Sequence, residues 1–114
     1  MCTQTQLNKI IDEVTTSART ILGDKLRKVI LYGSYARGDY NSDSDIDIMV
    51  LADIKDEEVF PFRQKMVSTT GRLGLENDIM VSVFVKNHNH FYEWIEALPF
   101  YRNVVSDGVE LYVN

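Results

Sequence analysis

The strongest constraint on the fold is a polar stretch, residues 33–47, set between two apolar runs. Val29-Ile30-Leu31-Tyr32 precedes it, and Ile46-Asp47-Ile48-Met49-Val50-Leu51 follows it. Short apolar runs of this kind, rich in β-branched residues, read as buried strands. Side chains alternate faces along a strand, so Asp45 and Asp47 share one face while Ile46, Ile48 and Val50 fill the other. Two carboxylates held that close raise each other's pKa unless a cation neutralises them. Hard oxygen donors favour Mg²⁺, with Mn²⁺ as the second option.

The other end of the stretch has a complementary character. Gly33 lets the backbone turn sharply and approach a ligand, and Ser34 is a good N-cap. Tyr35-Ala36-Arg37 then makes a short helical turn closed by Gly38. The free N–H groups of such a start suit a phosphate. A phosphate cradle facing a carboxylate pair is equipment for phosphoryl or nucleotidyl transfer from a metal-bound triphosphate.

The rest of the chain is read around this centre. Leu7, Ile10, Ile11, Val14, Ala18, Ile21 and Leu22 recur at helical spacing, which predicts an amphipathic helix over 5–22 that stops at Gly23 and covers one sheet face. The first strand spans 26–32 and the second runs to 51. Residues 52–58 are expected to loop out, and Lys55-Asp56-Glu57-Glu58 is read as a solvated edge. Pro61 suits the first turn of a further helix carrying Phe62, Met66, Thr70 and Leu73 on one face, with Gly71 and Gly74 leaving its end open. Residues 77–85 alternate as a third strand, with Ile79, Val81, Val83 and Val85 on one face and Asp78, Met80, Ser82 and Phe84 on the other. Phe91, Trp94, Ile95 and Leu98 have helical spacing and stop at Pro99. A short helix over 100–107 ends at Gly108, and 109–112 docks as a tail. His88 and His90, in an Asn-rich turn, are expected to be loop residues rather than metal ligands.

At 114 residues the chain is expected to be one domain, 1–114, α/β in class, with a short mixed sheet and helices packed on it. There is no room for a separate substrate-binding domain. The net charge of −5 argues against strong general nucleic-acid binding. No apolar run approaches spanning length and no signal-peptide core is visible, so no membrane association and a cytoplasmic location are expected. The single cysteine, Cys2, excludes an internal disulfide. A P-loop is excluded by the lack of Gly-x4-Gly-Lys-[Ser/Thr], and a dinucleotide fold by the lack of Gly-x-Gly-x-x-Gly.

Gly33-Ser34, ten intervening residues and Asp45-Ile46-Asp47 together resemble the Gly-Ser-x10-Asp-x-Asp signature of polymerase-β-like nucleotidyltransferases. Ala36-Arg37-Gly38 and Ser44-Asp45-Ile46-Asp47 resemble the minimal branch of that superfamily. Pro99-Phe100-Tyr101-Arg102-Asn103-Val104 with Asp107-Gly108 is similar to the closing segment of its bacterial members. The resemblance implies the nucleotidyltransferase core and transfer of a nucleoside monophosphate, AMP from ATP by expectation, to an acceptor hydroxyl with release of pyrophosphate. It assigns Asp45 and Asp47 to two Mg²⁺ ions. It also implies a third acidic ligand on a neighbouring strand, for which Asp78 is the best-placed residue and Glu76 the fallback. Gly33, Ser34 and Gly38 belong to the phosphate turn, where Arg37 either neutralises phosphate or braces the turn through a carboxylate. The resemblance further implies an alternative role, that of an antitoxin-like module binding an all-helical HEPN-type partner, and two protomers could build a substrate cleft as a homodimer.

Overall fold

The structure is a computed structural model, and it describes residues 2–114. Helix α1, Gln4–Leu22, starts where Thr3 accepts the Gln6 N–H and the Gln6 side chain answers the Thr3 N–H, a reciprocal cap worth about 0.5–2 kcal/mol. Leu7, Ile10, Val14, Ala18 and Leu22 are its buried stripe, as their spacing predicts. Gly23 ends it and opens a single 3-10 turn, Gly23–Lys25, into strand β1, Leu26–Tyr32.

A four-residue helix, α2, Ser34–Arg37, fills the turn before strand β2, Ile46–Ala52. Helix α3, Asp56–Asn77, crosses over to strand β3, Val81–Asn87. Two short helices follow, α4, His88–Glu93, and α5, Pro99–Asp107, and strand β4, Val109–Val113, closes the chain. The four strands form one mixed sheet in the order β3-β2-β1-β4. β1 pairs antiparallel with β2 and with β4, while β2 and β3 run parallel, as a helical crossover requires.

The sheet buries both faces. Ile46, Ile48, Val50, Val83 and Val85 pack under α1 and α3 with Val14 and Leu73. On the opposite face a smaller cluster of Ile30, Tyr32, Met49, Leu51, Phe91 and Val104 sits under α4 and α5. Those two short helices cover only part of that face, and Phe84 and Phe100 remain exposed on it. Among the described residues no helix is long and apolar enough to cross a membrane.

Several expectations are corrected. Residues 55–58 are not a loop edge: Asp56, Glu57 and Glu58 form the first turn of α3, where carboxylates complement the helix dipole. Pro61 therefore lies in the sixth position of α3 rather than in its first turn. The helix also runs through Gly71 and Gly74 to Asn77, because burying Met66, Thr70 and Leu73 outweighs a glycine cost of about 1 kcal/mol each. The third strand consequently begins at Val81, four residues later than 77–85 implies. His88 and His90 lie in α4, capped by Asn87 accepting the His90 N–H, and not in a loop. Cys2 is buried, with its N–H directed to the Tyr35 hydroxyl at 3.4 Å.

Candidate active site

The site grows from the β1–β2 hairpin. Tyr32 is paired with Asp47 across the antiparallel ladder, so both side chains stand on the same sheet face. Immediately after Tyr32 the backbone at Gly33 takes φ 77°, ψ −159°, a region that L side chains rarely enter. A Cβ at this position would stand 2.5 Å from Asp47 Oδ2, so the bare backbone of the turn lies against the carboxylate. Gly33, rather than Ser34, is the N-cap of α2. Its carbonyl accepts the N–H groups of Ala36 and Arg37, both at 3.1 Å. Ser34 is the first helical residue, and no side-chain bond caps the helix. The first N–H groups of a helix have no acceptor within it.

Tyr35 anchors the turn from beneath, buried and stacked on Tyr40 with centroids 4.2 Å apart. Beyond it the loop ties to itself: the Asn41 N–H donates to Ser44 Oγ at 2.9 Å and the Asp43 N–H donates to Asn41 Oδ1 at 2.8 Å. These local bonds feed the chain into β2 with Asp45 exposed and Asp47 half-buried. Arg37 is exposed, with Nε 3.2 Å from Asp39 and Nη1 3.3 Å from Asp107 of α5. Of the two expectations for Arg37, bracing the turn through carboxylates is the one the geometry displays.

Burial, and next the negative charge of Asp45, raise the pKa of Asp47 above its ordinary value, while Arg37 pulls it part of the way back. No hydrogen bond contributes to holding its charge. The Tyr32 hydroxyl is also pushed up, first by burial and then by Asp47. Two adjacent carboxylates, one half-buried and repelled by the other, form a donor set that fits a hard divalent cation. Beside them a cavity of about 200 Å³ opens between Tyr32, Gly33, Arg37, Phe100 and Asn103.

The third acidic position is corrected. Asp78 caps the C-terminus of α3 with φ 52°, its N–H bonded to the Gly74 carbonyl, and is not on the strand at all. Glu76 lies in α3, paired with Arg72 at 3.2 Å. The residue in register with Asp47 on the neighbouring strand is Ser82, and the Ile46 N–H donates to Met80 one step before. Among the described residues no group of three or more His, Cys, Asp and Glu side chains gathers where it could hold a metal. The structure thus unites Gly33, Ser34, Arg37, Gly38, Asp45 and Asp47, and leaves Asp78 outside. Ser82, Tyr32 and Asp107 are neighbours of the site that the Gly-Ser-x10-Asp-x-Asp motif does not contain; each had a weaker signal, Ser82 in its period-two alternation with Met80 and Phe84, Tyr32 at the end of the first apolar run and Asp107 in the closing segment.

Comparison with known proteins places the whole chain. A family profile described as nucleotidyltransferase domain matches residues 10–109. Two proteins of Methanocaldococcus jannaschii, each named as a candidate protein adenylyltransferase, are similar in sequence. MJ0141 is 40% identical over 80 residues, covering 70% of this chain and 79% of that protein. MJ0604 is 32% identical over 104 residues, covering 91% of this chain and 96% of that protein. A candidate nucleotidyltransferase from Sulfolobus solfataricus superposes with a TM-score of 0.50 at 27% identity, covering 96% of this chain and 79% of its own. A toxin-antitoxin crystallised with AMP-PNP superposes with a TM-score of 0.55 at 23% identity, covering 91% and 73%, a likeness of fold. With the Gly-Ser turn set against Asp47 and the profile spanning most of the sequence, the chain belongs to the nucleotidyltransferase-domain family.

Proposed function

We propose that the chain transfers the AMP moiety of ATP to a hydroxyl of an acceptor protein, with pyrophosphate as the leaving group. The observation that carries this reading is the contact of the Gly33 backbone with Asp47, which joins the phosphate turn to the carboxylate pair. The names of the two archaeal relatives support the adenylyl group and the protein acceptor. Asp45 and Asp47 would hold the divalent cations, Mg²⁺ by preference. Bound there, such cations neutralise the triphosphate and lower the pKa of the attacking hydroxyl.

The chain's own groups do the remainder. Ser34 Oγ and the N–H groups of Ser34 and Tyr35, the two in α2 that the Gly33 carbonyl does not take, would grip the outer phosphates, and Gly38 lets the turn close behind them. Arg37, tied to Asp39 and Asp107, holds the turn against α5. Asp47, half-buried, is carried on a strand rather than on a loop. Positioning and charge neutralisation then supply most of the rate, since phosphoryl chemistry asks little covalent work of the protein.

Labelled ATP incubated with the chain and its candidate protein acceptors tests the reading by mass analysis. Gain of one adenylyl group by an acceptor, lost in both Asp45→Asn and Asp47→Asn, is the expected result; undiminished transfer in both variants refutes it.

A second reading, an antitoxin-like module for a HEPN-type partner, is favoured by one surface. A groove of about 660 Å³ between α3 and β3 exposes Val67, Leu75 and Met80, three apolar residues that the chain itself leaves uncovered. The fold shared with the toxin-antitoxin structure agrees with it. Calorimetry separates the two: binding of Mg²⁺-ATP followed by pyrophosphate release supports catalysis, and no binding at millimolar nucleotide supports a purely structural role.

A further inference from the structure

Neither the motif nor the carboxylate pair says where the base of the nucleotide would rest. The sheet face that carries Asp47 does offer a place. Phe84 lies on the adjacent parallel strand, two residues beyond the partner of Asp47 and so on the same face. Strand spacing and rise put its Cα roughly 8 Å from that of Asp47, within the reach of a nucleoside whose phosphate sits at the carboxylates. Phe100, at the start of α5, stands over Tyr32 with centroids 5.7 Å apart and lines the cavity beside Gly33. The rings of Phe84 and Phe100 meet edge to face at 6.4 Å.

Both rings are open to solvent, Phe84 at 39% and Phe100 at 45% relative exposure, although Phe91 on the same face is almost fully covered. Arg63 extends this surface: its guanidinium lies 5.7 Å from the Phe84 ring centroid, with Nε donating to the Val83 carbonyl at 3.0 Å. A planar, electron-rich heterocycle can stack against a phenyl ring and sit beside a guanidinium. An extended aliphatic group gains from neither.

We propose that Phe84 and Phe100, flanked by Arg63, form the nucleobase platform of the site, a subsite that rests on the nucleotidyl-transfer reading. No hydrogen-bonding side chain is needed in this recognition, so the platform supplies affinity with little discrimination among bases. Its occupant is the base of a nucleoside triphosphate whose phosphates lie at Gly33 and the carboxylate pair. The triphosphate tail and the base are then held by separate surfaces, and that separation can be measured.

The experiment compares binding of Mg²⁺-ATP, Mg²⁺-GTP and Mg²⁺-tripolyphosphate by calorimetry to the natural chain, to Phe84→Leu and to Phe100→Leu. Thermal melts verify that each variant folds, which half-exposed Phe→Leu changes permit. The expected result is a loss of about tenfold in affinity for both nucleotides in each variant, with tripolyphosphate affinity unchanged. Unchanged nucleotide affinity overturns the platform, as does an equal loss for tripolyphosphate, which would mark the rings as structural supports of the turn. If the natural chain binds tripolyphosphate and neither nucleotide any better, the base has no subsite and the proposal fails while nucleotidyl transfer stands. If it binds none of the three, the nucleotidyl-transfer reading itself fails.

Discussion

A Gly33→Ala substitution would place a methyl carbon 2.5 Å from Asp47 Oδ2, at a backbone conformation of φ 77°, ψ −159°. The conformational part falls on stability, at about 1–3 kcal/mol for a residue forced into a glycine region. For a chain of this size that lowers Tm by roughly 4–13 °C. The steric part falls on the site, because the clashing atom is the end of an Asp side chain that can rotate away. To reach even the closest separation that real Cβ atoms tolerate, the carboxylate has to withdraw by about half an ångström. Misplacement on that scale costs on the order of tenfold to a hundredfold in rate. Gly23→Ala is the matched control, since Gly23, at the end of α1 and outside the site, also has positive φ, 55°, but a Cβ there meets nothing within 4 Å. Urea unfolding and Mg²⁺-dependent adenylyl transfer should therefore separate the two: both variants lose stability, and only Gly33→Ala loses transfer beyond what its folded fraction explains. Equal transfer by the two folded variants would refute the argument that the Gly33–Asp47 contact belongs to the site.

Asp47 predicts a pH effect of definite sign. Its raised pKa means that the folded chain binds this proton more tightly than the unfolded chain does, so this contribution to stability is greatest below the ordinary carboxyl value of 3.8 and falls as pH rises through the folded value. In metal-free buffer Asp47→Asn should melt above the natural chain at pH 7, with the difference fading toward pH 4; millimolar Mg²⁺ should raise Tm in the natural chain and not in the variant. Ser82→Asp would set a third carboxylate in register with Asp47, and Mn²⁺ binding followed by electron paramagnetic resonance should tighten by about tenfold, the effect of one added charged ligand at roughly 1.4 kcal/mol. Phe91→Ala should cost about 3–5 kcal/mol in urea unfolding, because its ring, 1% exposed, is the largest fully buried side chain of the small cluster under α4 and α5.

Much of this molecule is legible from its residues. The strands β1 and β2, the placing of Asp47 on the second of them, and the short helix between Gly33 and Gly38 all follow from local alternation and from glycines placed where the backbone must turn. The stripe of α1 follows from its period. What sequence hides is decided by partners distant along the chain. Gly71 and Gly74 look like a helix end because their propensity is poor, yet the helix continues since Leu73 between them is fully buried. That continuation moved Asp78 off the strand and left Ser82 in register with Asp47, and no spacing rule could have fixed a register set by the length of a crossover. Arg37 is similar: Asp39 is two residues away, but Asp107 reaches it only through the packing of α5.

The pairing of Tyr32 with Asp47 has an implication for how the hairpin tip can change. The ladder, not the intervening residues, sets the gap between the Gly-Ser corner and the carboxylates, at about the 4.8 Å that separates neighbouring strands. Asp39 and Tyr40 support the turn through Arg37 and Tyr35, and the rest of the connection only has to return the chain to the start of β2. Even doubling a flexible connection adds only about 0.6 kcal/mol of closure entropy. A glycine-serine extension placed after Asn41 would consequently lengthen the tip while the two halves of the reacting centre kept their mutual spacing. The hairpin works as a caliper whose jaws are strands.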